Sequence, residues 1–189
     1  VERAVKGYNG RALFAWEPGL GKTLASLLIT QRYPKARPVV IVCPASIKWM
    51  WENQAKHHLG IRVEVLESTR PPREGLHRKR DFIVVNYDIL GRTRAANAGP
   101  GWLDYLKELN PQMVILDELQ LIKSREALMS RSVKTLCEGV PHVIGLSGTP
   151  LTNRPSELWH PLHVIRPDLF PNFWPYARTY CRPRRTPWG

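Results

Sequence analysis

The chain has 189 residues, enough for one domain with a substantial core, and 43% hydrophobic against 23% charged residues excludes a disordered polymer. Lys and Arg outnumber Asp and Glu by 28 to 16, a formal charge of +12 that favours a polyanionic partner, nucleic acid well ahead of an anionic membrane surface. No apolar run approaches the roughly 20 residues that cross a bilayer, so no membrane association is expected. The opening VERAVKGYNG has neither a signal-peptide core nor a starting methionine, and the chain reads as an intracellular piece of something longer.

In chain order, RALFAW (11–16) predicts a strand that runs into a glycine-rich turn. A helix over 22–33 follows, with Leu24, Leu27 and Leu28 on one face and Pro34 as its stop. VVIVC (39–43) is a second strand. Residues 46–58 form a helix with Ile47, Trp51 and Ala55 on its buried side and Ser46 as N-cap. The basic connection STRPPREGLHRKRD (68–81) leads to the strand FIVVN (82–86). MVILD (113–117), a looser helix over 125–137 carrying Leu128, Val133, Leu136 and Cys137, and VIGLS (143–147) complete the alternation. The strands are β-branched and nearly continuous in apolar character, the pattern of strands buried on both faces of a parallel sheet, so the fold class is α/β. Cys43, Cys137 and Cys181 lie far apart and the His57–His58 pair has no partners at metal spacing, so no zinc site is expected.

Three strand ends carry chemistry. EPGLGKT (17–23) places Gly19 and Gly21 where a backbone approaches an anion, Lys22 where an ammonium reaches β- and γ-phosphates, and the Thr23 hydroxyl where it meets Mg²⁺. A strict phosphate loop asks for glycine at position 16, where this chain has Trp16. Asp117 and Glu118 follow a buried strand. There Asp117 suits a water-mediated hold on Mg²⁺, and Glu118 suits orienting and deprotonating an attacking water. An isolated Asp-Glu pair would more often be a solvated strand end. Ser147, Gly148, Thr149 and Pro150 end the last strand, where short hydroxyls can hydrogen-bond the acidic pair; alone, the same residues make an ordinary turn.

Taken together, these stretches resemble the first RecA-like lobe of superfamily-two helicases, most closely the Swi/Snf-type DNA translocases and their annealing-helicase-like branch. EPGLGKT resembles that family's motif I, VIVCPASIKWMWENQ motif Ia, FIVVNYDIL motif Ib, ILDELQLIKS motif II and IGLSGTPLTNRPSELW motif III with its continuation. The resemblance runs from about residue 3 to residue 181. It implies a RecA-like P-loop NTPase lobe over 1–165, a mostly parallel sheet with helices on both faces, and a Pro/Arg/aromatic-rich extension over 166–189. It implies ATP and Mg²⁺ as ligands, with Pro18, Gly19, Leu20, Gly21, Lys22 and Thr23 at the nucleotide and Thr23 and Asp117 at the metal. Glu118, Lys22, Ser147, Thr149 and Gln120 would carry catalysis.

For DNA, expected to be double-stranded, the resemblance implies contacts from Ser46, Lys48, Asn86 and Tyr87. Arg70, Arg73, Arg78, Lys79 and Arg80 read equally as a solvated loop or as a widening of the basic face, and Trp49 would stack on a base. Arg182, Arg184 and Arg185 read as a linker to a second RecA-like lobe of the same polypeptide. That lobe would supply the arginine finger, whose loss costs about 10³–10⁵ in turnover, so these residues alone are expected to be nearly inactive. The chain departs from the family pattern at Trp16, Pro18, Leu119 and Gln120, where an acid, a methionine, a small residue and a histidine are usual. A strand-separating phage or restriction-type DNA or RNA helicase, and a non-catalytic nucleotide- and DNA-binding module, remain alternatives. The form of the loop and the short connection between motifs Ia and II favour a bacterial or phage-infected cytoplasm over a eukaryotic nucleus.

Overall fold

The computed structural model describes residue 7 and residues 10–71, 80–91, 100–150 and 154–181. Its centre is a sheet of six strands: β1 (Arg11–Ala15), β2 (Val39–Cys43), β3 (Glu64–Val65), β4 (Phe82–Asn86), β5 (Met113–Leu116) and β6 (His142–Ser147). They lie in the order β1-β6-β5-β2-β4-β3 and every pair is parallel. β3 is too short to leave a sequence pattern, whereas the other five follow the expected apolar runs. β5 stops at Leu116, one residue before the predicted end.

Side chains alternate across the sheet because successive residues of a strand point to opposite faces. Val40, Val42, Ile83, Val85, Val114, Leu116 and Val143 enter one core. Val39, Ile41, Phe82, Val84, Met113, Ile115, Ile144 and Leu146 enter the other. On this second face lie α1 (Lys22–Arg32), through Leu27 and Ile29, and α2 (Lys48–Leu59), through Trp51 and Ala55. On the first lie α3 (Trp102–Glu108), α4 (Leu128–Cys137) and α5 (Trp159–Ile165), through Leu106, Val133, Leu136, Val164 and Ile165. Both faces are therefore covered, as an all-parallel sheet requires. Among the described residues no helix is long and apolar enough to cross a membrane.

Two helix predictions need correction. In α1 the buried arc runs through Ser26, Leu27, Ile29 and Thr30, while Leu28 is 49% exposed. The hydroxyls of Ser26 and Thr30 donate to the carbonyls of Thr23 at 2.8 Å and Leu27 at 2.7 Å, so polar residues bury without an unpaired group. Ser46 does not cap α2: a 3-10 turn over Ala45–Ile47 precedes the helix, and Ser46 is exposed.

Parallel pairing puts every carboxyl strand end on one edge. Ala15 lies opposite Ser147 and Cys43 opposite Asn86, and Leu116 neighbours both Val42 and Gly145. The segments that begin at Trp16, Asp117 and Gly148 therefore leave the sheet side by side, at the edge where open α/β sheets bind ligands.

Candidate functional site

The glycine-rich turn is built from residues that take up left-handed backbone. Gly19 has φ 84° and Gly21 φ 75°, values that strain any residue with a β-carbon. Gly21 also stands at the N-cap of α1, where no side chain bonds the first-turn N–H groups. Those N–H groups and the helix dipole form an anion-attracting end. Lys22 folds back over the turn, its Nζ donating to the carbonyls of Trp16 at 2.9 Å and Glu17 at 3.1 Å. Trp16 thus needs no glycine: its carbonyl serves Lys22 while its ring stacks on Phe14 at 5.0 Å. Pro18 and Leu20 are exposed on the same turn.

The turn lies against the end of β6. A β-carbon placed on Gly148 would stand 3.3 Å from Pro18 Cγ and 3.7 Å from Lys22 Nζ, so the first and third motifs touch.

Asp117 is 6% exposed and held on four sides. Its N–H donates to the Val42 carbonyl at 2.8 Å, and its own carbonyl accepts the Tyr87 hydroxyl at 2.7 Å. Its Oδ1 accepts the Glu118 N–H at 3.0 Å and its Oδ2 the Trp51 indole N–H at 3.0 Å. Burial pushes the Asp117 carboxyl up from its ordinary value. The two N–H bonds pull it back, the charge of Glu118 adds to the rise, and Lys22 opposes it. Neighbouring Cys43, pushed up to about 12 mainly by burial, stays a neutral thiol.

Glu118 sits in left-handed backbone, φ 52° and ψ 52°, a conformation that costs a side-chain-bearing residue about 1–2 kcal/mol. A relay then joins it to β6. The Thr149 N–H donates to Ser147 Oγ at 3.2 Å, Ser147 donates to Gln120 Oε1 at 2.7 Å, and the Gln120 amide donates to a Glu118 carboxylate oxygen. Gln120 thus supplies the bridge between the second and third motifs. Leu119 is buried beside Gly145, where a β-carbon would come 2.8 Å from Leu119 Cδ2, so the glycine makes room for the larger residue.

The donor set fits Mg²⁺. A hydroxyl and a carboxylate, Thr23 and Asp117, are hard oxygen donors. Among the described residues no group of three His, Cys, Asp or Glu could hold a metal. A cation here would have to keep waters and phosphate oxygens as its remaining ligands, as Mg²⁺ does.

Three predicted DNA contacts are corrected by burial. Lys48 is 9% exposed and its Nζ donates to the Leu66 carbonyl at 2.8 Å inside the fold. Asn86 and Tyr87 are 4% and 2% exposed, at the end of a strand flanked on both sides. Ser46, Trp49 and Arg70 are exposed, and Arg80 pairs with Glu64. Arg73, Arg78, Lys79, Arg182, Arg184 and Arg185, with residues 151–153 of the third motif, lie outside the described residues.

Trp51 is the residue that pattern reading placed in the core without seeing its second part. The core assignment holds, but a buried indole N–H needs an acceptor, and here the acceptor is Asp117, 66 positions away.

Residues 4–186 match the SNF2-related domain family. A bovine protein named SWI/SNF-related matrix-associated actin-dependent regulator of chromatin subfamily A-like protein 1 is 32% identical over 191 residues, covering 96% of this chain and 18% of its own. The human DNA annealing helicase and endonuclease ZRANB3 is 31% identical over 177 residues, covering 92% of this chain and 16% of its own. The chain therefore spans less than a fifth of the length of these relatives. The structure of the Sulfolobus solfataricus SWI2/SNF2 ATPase core in complex with dsDNA aligns with TM-score 0.74 at 25% identity, over 94% of this chain and 36% of that one. The expectation of a bacterial or phage-infected cytoplasm is overturned: the bovine and human relatives are eukaryotic, one named a regulator of chromatin and the other a DNA annealing helicase.

Proposed function

This chain belongs to the SNF2-related domain family, and on that premise we propose that it is the ATP-binding lobe of a double-stranded-DNA translocase that remodels or re-anneals DNA. The observation that carries the reading is the meeting of three strand ends on one sheet edge, with Lys22 beside Gly148. A +12 chain and the printed names of the relatives support DNA as the polymer acted upon.

In this reading Pro18, Gly19, Leu20 and Gly21 shape the turn, and the N–H groups opening α1 surround the phosphates. Lys22 exchanges the carbonyls of Trp16 and Glu17 for phosphate oxygens, a stronger charged acceptor. Thr23 and Asp117 would hold the divalent cation. Mg²⁺, when bound, neutralises charge on the β- and γ-phosphates. Glu118 orients a water and takes its proton. Gln120 fixes the Glu118 carboxylate, and Ser147 and Thr149 carry its position to the end of β6.

Residues 1–165 form the lobe, and residues 166–189 lead towards a second RecA-like lobe of the same polypeptide. That partner would close over the nucleotide and supply an arginine finger, so these residues alone turn over ATP about 10³–10⁵ times more slowly than the closed pair. Each closure and release moves the pair along the duplex.

The test is ATP hydrolysis by the full-length protein that carries this lobe, with duplex DNA, single-stranded DNA or RNA, beside direct ATP binding. Duplex should stimulate most, and Lys22→Ala should weaken ATP binding and cut turnover about 10²–10³-fold. Unchanged ATP affinity in Lys22→Ala ends the phosphate-loop assignment, and equal stimulation by RNA ends the duplex assignment.

A further inference from the structure

The carboxylate of Asp117 sits on a soft torsion, since rotation about an sp³–sp² bond has broad minima, so its aim must come from hydrogen bonds. The Val42 and Tyr87 contacts fix only its main chain. The Glu118 N–H reaches Oδ1 from the adjacent residue, which itself stands in left-handed backbone. Among the described residues, the side chain placed on the carboxylate from another element is Trp51, donating to Oδ2 at 3.0 Å.

Trp51 is suited to that task. It is fully buried in α2, within the same core cluster as Ile41, Cys43, Ala55 and Val84, and close packing there restrains its ring. The helix rests on one face of the sheet while Tyr87 reaches the same residue from the core on the other. A carboxylate has about four acceptor positions. The two N–H bonds occupy one on each oxygen and leave one on each for a cation or its water.

We propose that Trp51 is a positioning residue for the metal-holding acid: its indole N–H sets the rotation of the Asp117 carboxylate and so the affinity of the site for a divalent cation. The inference rests on the reading of Asp117 as that acid. Hydrogen-bond partners of ligating carboxylates typically change metal affinity about 10–100-fold, which sets the scale expected here.

The test measures Mn²⁺ binding by electron paramagnetic resonance in the ADP-bound protein, for wild type, Trp51→Phe and Asp117→Asn. ADP affinity without divalent metal and thermal melting are measured beside it. Trp51→Phe keeps an aromatic ring and removes the donor. It should weaken Mn²⁺ about tenfold and leave metal-free ADP affinity within about twofold. Should Trp51→Phe not melt in one cooperative transition, 3-benzothienylalanine incorporated at position 51 replaces it, since it keeps both rings and puts sulfur where the N–H stands. Unchanged Mn²⁺ affinity in a folded donor-less protein, with Asp117→Asn weakened, overturns the inference alone. Unchanged affinity in both variants overturns the metal reading of Asp117 and this inference with it.

Discussion

The two edges of the one sheet use charge in opposite ways. At the amino edge, Arg11 opens β1 and its guanidinium donates to the carbonyls of Ile165 at 2.6 Å, Val164 at 3.1 Å and Val140. Two of these are last-turn carbonyls of α5, so the arginine ties the end of that helix to β1. At the carboxyl edge, Lys22 also rests on carbonyls, but on those of its own turn, while the Asp117 carboxylate accepts from the Trp51 indole and the Glu118 N–H and the Glu118 carboxylate from the Gln120 amide. A cation whose donors reach distant main chain is a staple. One that reaches only its own loop can change partner without unfolding anything. Location on the sheet, more than residue type, separates stability from chemistry.

That contrast predicts which variants move which measurement. Arg11→Met should have the largest effect, lowering unfolding free energy by about 3 kcal/mol in urea melts through the loss of charged hydrogen bonds. ATP affinity of the folded fraction should not change, and a fall in affinity without a fall in stability would erase the contrast. Ser147→Ala breaks the relay from Thr149 to Glu118 and should lower kcat about tenfold with KM for ATP within about twofold, since it disturbs aim rather than binding. A change confined to KM would show that the relay serves nucleotide binding instead. The smallest effect sharpens the carboxyl side. Glu118→Gly and Glu118→Ala both remove the carboxylate, but glycine relieves the left-handed backbone and should melt as the more stable by about 0.5–1 kcal/mol. Equal melting would mean that position 118 stores no strain.

Much of this was legible in the sequence, for physical reasons. Continuous β-branched runs exist because both sheet faces are covered, and that pattern located five of the six strands. The order of motifs along the chain located the edge they share. Contacts between distant positions were less legible. Periodicity assigned Trp51 to a buried face but could not show that its polar corner meets Asp117. It could not show that Lys48, Asn86 and Tyr87, polar residues beside motifs, turn inward, Lys48 to the Leu66 carbonyl, Tyr87 to the Asp117 carbonyl and Asn86 to the Asp88 carboxylate. Leu28 misled because helical spacing is blind to buried hydroxyls: Ser26 and Thr30 took the inner arc by bonding back to their own helix. The left-handed Glu118 had no signal at all, since glutamate is not a residue that announces that conformation.

The pairing of β1 with β6 has a consequence for how the protein is made. Among the described strands β6 is the sole neighbour of β1, yet it is separated from it by most of the chain. On a ribosome the glycine turn emerges before the middle strands and well before β6, its seat. It acquires its seat only after Ser147 has left the exit tunnel, by which time the middle strands can already have collapsed together. Nascent chains halted before β6 should therefore be compact but blind to nucleotide.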